Sequence, residues 1–258
     1  MSGPDQASLV LARQRAVVIA GLAGLIMLSW AYTLWVALEV YEGAHSAFGP
    51  HAGVWDVSQL IYIAMMWMVM MTAMMVPSVS PTIVMFSEVS QKHKSAEISA
   101  APTWVFIAGY LAAWGLFSVA ATGAQWGLIA ASLLTPIMET KSAELGGAIL
   151  ISAGAFQFTS LKYACLQHCR SPLAFFMASW RPGRTGALSM GFRHGLYCVG
   201  CCWALMAVMF VGGVMNPLWL VALAVFVLIE KIAPSGRRIG QVTGALLVAA
   251  GVYMITLY

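Results

Sequence analysis

The sequence predicts an all-α protein, a polytopic transmembrane bundle of about seven spans forming one integral membrane domain over residues 1–258. Three observations carry that expectation. Apolar residues make up 61% of the chain and charged residues 9%, against roughly 45–50% and about 25% in soluble proteins. The mean hydropathy is +0.84. The apolar residues fall into stretches near the roughly 20 residues that a helix needs to cross hydrocarbon. Charge this sparse excludes a nucleic-acid surface, and no soluble domain of useful size remains between the stretches.

The first stretch, roughly 16–38, follows Arg13 and Arg15 as a secretory n-region would. It outruns the roughly 7–15 apolar residues of a signal segment, so it reads as a retained helix. The second, roughly 58–76, is rich in methionine and stops before Pro77. The third, roughly 103–130, carries Gly123 and Gly127, and the seventh, roughly 240–257, carries Gly240 and Gly244; both pairs predict close helix approach. The fourth and fifth lie at roughly 143–162 and 189–212, and the sixth, roughly 217–232, is the shortest. The segments opening Ser80-Pro81 and Ser171-Pro172 follow the second and fourth helices, and Ser-Pro reads either as a helix-ending turn or as the trace of an internal repeat.

Loop charge orients the bundle. Arg13, Arg15, Lys92, Lys94, Lys162, Arg170, Arg181, Arg184, Arg193, Lys231, Arg237 and Arg238 fall on one side of a seven-span chain, and Lys141 alone falls on the other. Lysine and arginine concentrate in cytoplasmic loops, so the N terminus is expected in the cytoplasm and the C terminus outside. The outer loop after the first span holds Glu39, Glu42, Asp56, His45 and His51 without compact ligand spacing; ordinary solvated residues account for it.

Five cysteines stand in two clusters, Cys165 and Cys169 at the end of the fourth span, and Cys198, Cys201 and Cys202 in the fifth. Both face the reducing compartment in this orientation, where structural disulfides are rare, and an odd total leaves a thiol unpaired. At 3.6 residues per turn, His194, Cys198, Cys201 and Cys202 share one helical stripe that continues through Met206 and Met209, a rise of about 22 Å. Thiolate, imidazole and thioether together form the ligand set of soft metals, which favours Cu(I) over zinc. Small cysteines packing between helices are the competing reading. Cys165, Cys169 and His168 would complete the site from the fourth helix, provided the two helix ends meet. Of the methionines, Met74 and Met75 lie nearest that end and are the candidate thioether ligands; Met66 and the others read as core filler. Gln157 and Glu230 are intramembrane polar residues and so functional suspects, although Glu230 lies near enough to Lys231 and Arg237 to be structural.

The run from Met66 to Ser78, the segment Phe156-Gln157-Phe158-Thr159-Ser160-Leu161-Lys162 continuing through Cys165, Cys169, Arg170 and Pro172, the motif Gly195-Leu196-Tyr197-Cys198-Val199-Gly200-Cys201-Cys202-Trp203, and Glu230-Lys231 resemble a bacterial family of predicted metal-binding integral membrane proteins. The likeness covers nearly the whole chain. It implies metal binding and a bacterial inner membrane location, without a reaction. Ser160 stands where that motif has a proline, a change expected to affect the helix end more than the ligands.

The expected function is soft-metal handling, Cu(I) transport, delivery or sensing, with the bilayer, the ion and a metallochaperone or membrane metalloenzyme as partners. Two alternatives stay open: a quinone-linked thiol oxidoreductase using Cys198 and Cys201, and an accessory subunit of a membrane metalloenzyme. The cytoplasmic placement of the thiols argues against the enzyme.

Overall fold

The computed structural model describes residues 3–41, 56–92, 102–135 and 138–257. Glu42, His45 and His51 of the expected outer loop, and Lys94, lie outside the described residues. The elements are α1 (Gly3–Tyr41), α2 (Val57–Lys92), α3 (Thr103–Ala130), α4 (Ala143–Phe156), α5 (Ser160–Arg170), α6 (Pro172–Ser179), α7 (Gly183–Ala207), α8 (Met209–Gly212), α9 (Pro217–Ile232) and α10 (Gly236–Leu257). Among the described residues, five helices are long and apolar enough to cross a membrane, within α1, α2, α3, α7 with α8, and α10; a sixth crossing is made if α4 and α5 are taken together. At 16 residues, α9 rises only about 24 Å, short of a hydrocarbon core of about 30 Å.

Two helices depart from their expected ends for local reasons. α2 runs through Pro77 and Pro81 rather than stopping at 76. A helical proline withdraws a backbone donor, and here hydroxyls reinforce the turn: Ser78 donates to the Met75 carbonyl at 2.8 Å and Ser80 to that of Val76 at 2.8 Å. Ser80-Pro81 is therefore helix interior, whereas Ser171-Pro172 opens α6 with proline in its first turn. The fourth stretch does not continue past Lys162 as one rod. It bends by 65° between α4 and α5, because extended Thr159 caps a new helix, its Oγ1 accepting from the Lys162 amide at 3.3 Å.

Glycines set the main seams. A Cβ on Gly195 of α7 would lie 2.6 Å from Ala113 Cβ of α3, and one on Gly154 of α4 would lie 2.7 Å from the Gly244 carbonyl of α10. The Gly240 and Gly244 pair thus serves close approach as expected. Gly123 and Gly127 do not, since added Cβ atoms there would meet nothing within 4 Å among the described residues. The core between the seams contains Met66, Trp67, Met70, Met71, Met74 and Met75 of α2, all buried.

Candidate metal-handling site

α5 lies against α7 at the point where both carry cysteines. The approach depends on Gly200: a Cβ there would stand 2.8 Å from the Cys165 sulfur. α5 is pinned from its other side by a buried group of polar side chains. Lys162 Nζ donates to Glu230 Oε1 of α9 at 2.5 Å and also to Gln157 Oε1. Arg170 reaches the Ala233 and Pro234 carbonyls at 2.5 and 3.1 Å, and Arg237 sits over the Tyr163 ring at 4.6 Å. The two intramembrane suspects, Gln157 and Glu230, thus hold the cysteine-bearing helix in place.

Held this way, the Cys169 thiol meets those of Cys198 and Cys201, and Cys202 interacts with the same two. All five cysteines are free. Cys198, Cys201 and Cys202 are buried and Cys165 and Cys169 half-buried. The Cys201 and Cys202 thiols donate to the Cys198 carbonyl at 3.1 and 3.0 Å, the back-bonding to a preceding turn that hydroxyls and thiols make inside helices. Among the described residues, no three His, Cys, Asp or Glu side chains are splayed around a common ion position. The thiols are assembled and turned onto their own backbone.

Cys198 has the fullest set of partners. Lys231 Nζ of α9 lies 2.9 Å from its sulfur and also donates to Ser78 Oγ of α2 at 3.0 Å. The Tyr110 hydroxyl of α3 lies 3.0 Å from the same sulfur and 3.4 Å from the Met75 carbonyl. Tyr110 of α3, Lys231 of α9 and Cys169 of α5 therefore meet one thiol of α7, and α2 braces the first two through the Met75 carbonyl and Ser78. Lys162 and Lys231, counted above as loop cations, are interior residues, 0% and 8% exposed.

The other expected ligands divide. His194 is buried one turn before Cys198, among the rings of Phe106, Tyr110 and Phe175, and its Nδ1 has no hydrogen-bond partner among the described residues. Imidazole with an unpartnered nitrogen beside thiols fits a soft-metal ligand. His168 is exposed and stacks on Tyr197 at 4.2 Å. Met74 and Met75 are buried in the same core, but the polar links from α2 run through the Met75 carbonyl and Ser78 rather than through thioethers. In the sequence Lys231 reads as a loop cation and Ser78 as the end of a motif, and Tyr110 is not singled out. The legible signal for Lys231 is its place directly after a glutamate in an apolar stretch.

A family model described as PpoB2, copper chaperone, matches residues 64–254. The chain belongs to this copper chaperone family. The matched segment holds all five cysteines, His168, His194, Lys231 and the methionine run of α2, and leaves out α1. Comparison with curated proteins and with solved structures returns no match. The copper chaperone assignment agrees with the soft-donor chemistry expected from the stripe on α7.

Proposed function

We propose that the protein takes Cu(I) as cargo at Cys198, Cys201, Cys202 and Cys169, with His194 as a further ligand, and delivers it from within the membrane. The observation that carries this reading is the convergence of thiols from α5 and α7 around Cys198 with Lys231 at 2.9 Å from its sulfur. A cuprous ion held by two thiolates carries one negative charge in excess, and an isolated buried charge is costly. The Lys231 ammonium cancels it. Loading turns Cys201 or Cys202 away from the Cys198 carbonyl to share the ion with Cys198. Cys165, one turn from Cys169, and His168 extend the donor set toward the surface, and Met74 and Met75 are the nearest thioethers of α2. The copper chaperone family supports delivery over sensing, with a metallochaperone or a membrane metalloenzyme as the exchange partner.

In this reading α9 crosses a bilayer thinned locally to its shorter length and completes a seven-span bundle with the N terminus in the cytoplasm of a bacterial cell, and the thiols lie toward the reducing side. Replacing Cys198 and Cys201 together by Ser tests the proposal. Titration of the purified protein with a Cu(I) chelator should show one tightly held ion in the wild type and none in the double variant. Equal affinity in both contradicts it.

A further inference from the structure

α5, α6 and α7 line an open cleft of about 700 Å³ whose residues include His168 and Tyr197, the chain neighbours of Cys169 and Cys198, with Ser171, Phe175, Ala178 and Arg193. That volume falls in the roughly 300–1,000 Å³ range of small-molecule sites and is too small to seat a folded partner. Two of its side chains are chemically poised. His168 Nδ1 lies 2.7 Å from the Ala164 carbonyl. A carbonyl only accepts, so Nδ1 carries the hydrogen, and in the neutral ring Nε2 keeps a lone pair. The stack on Tyr197, interplanar angle 13°, fixes that ring at the mouth, one residue from Cys169 and beside the turn that carries Cys198. Arg193 makes no ion pair with a described acid, and the exposed Arg181 and Arg184 add positive charge on the connection into α7.

From this placement we infer that the cleft receives Cu(I) as a complex with a small anionic thiol, whose carboxylate pairs with Arg193 while His168 Nε2 meets the copper. The inference rests on the reading of the buried thiols as the Cu(I) site and names the form in which copper reaches it. Exchange is a ligand substitution. The bond from copper to the carrier sulfur breaks, a bond to Cys169 sulfur forms, and the Cys169 proton passes to the departing thiolate, which leaves as the free thiol. Copper stays Cu(I) throughout.

The test uses full-length protein in detergent without oxygen, with Cu(I) supplied either as its glutathione complex or as its 2-mercaptoethanol complex. Uptake is followed by thiolate-to-copper absorption, and bound copper is measured at equilibrium. Arg193→Gln should slow uptake from the anionic carrier about tenfold, because the loss falls on electrostatic encounter, and change uptake from the neutral carrier less than about twofold. Arg193→Lys should restore most of the rate, and His168→Ala should slow uptake from both carriers alike. S-methylglutathione, which carries the carboxylates without a free thiol, should in large excess slow wild-type uptake. Equal effects of Arg193→Gln on both carriers, or no slowing by S-methylglutathione, overturns the inference while bound copper stays intact. A wild-type chain that takes copper from neither carrier overturns the thiol site itself.

Discussion

A buried ammonium costs several kcal/mol unless an anion or strong acceptor lies beside it, and Lys231 has the Cys198 sulfur at 2.9 Å and Ser78 Oγ at 3.0 Å. In the proposed Cu(I) site the same contact supplies the charge balance, so its removal should be felt in metal binding before it is felt in folding. Lys231→Met is expected to weaken Cu(I) binding by at least about tenfold, and Lys231→Arg to recover part of it, as measured by chelator competition. Gly200 governs the geometry. Its Cβ would collide with Cys165 Sγ at 2.8 Å, so Gly200→Ala should push α5 away and raise the alkylation rates of Cys165 and Cys169 in the metal-free protein. The stripe on α7 was legible in the sequence because helical periodicity alone puts His194, Cys198, Cys201 and Cys202 together. Lys231 was not, because a lysine near a helix end looks the same in sequence whether it faces a loop or an interior thiol.

α5 illustrates how an element is placed by contacts that no local pattern reveals. Its start is local: extended Thr159 caps it, and Ser160 occupies the first turn. Its docking is not, since Lys162 meets Glu230 across 68 positions of chain. Truncating one partner of such a buried pair strands the other and costs about 3–5 kcal/mol. Glu230→Gln should therefore loosen α5 and lower the temperature at which the cysteines become reactive, whereas the paired change Glu230→Gln with Lys162→Met should restore much of that loss. The helices at Thr103–Ala130 and Pro217–Ile232 could be bounded from sequence because Pro102 and Asn216-Pro217 mark their starts. α2 could not, since Pro77 reads as a stop and only the Ser78, Ser80 and Tyr110 hydroxyls show why the helix continues. Likewise, the glycine pairs of α3 and α10 have the same spacing, and only the neighbours distinguish an open face from a seam.

At the scale of the whole molecule, the all-helical architecture follows from the composition, while the fate of each cation depends on tertiary contacts. In the seven-span reading proposed above, the lysines and arginines other than Lys162 and Lys231 would put the thiol end in the cytoplasm. Cys165 and Cys169 should then resist an impermeant maleimide added to the periplasmic side of intact cells and react in inverted vesicles; labelling from the periplasm reverses the orientation. The central claim is that the thiols gathered around Cys198 hold Cu(I), and X-ray absorption at the copper edge of the loaded, purified protein tests it most directly. A cuprous edge with a sulfur-dominated shell, lost together with the copper in the Cys198→Ser, Cys201→Ser variant, is the predicted result. A shell of nitrogen and oxygen alone, or a sulfur shell unchanged in that variant, would contradict it.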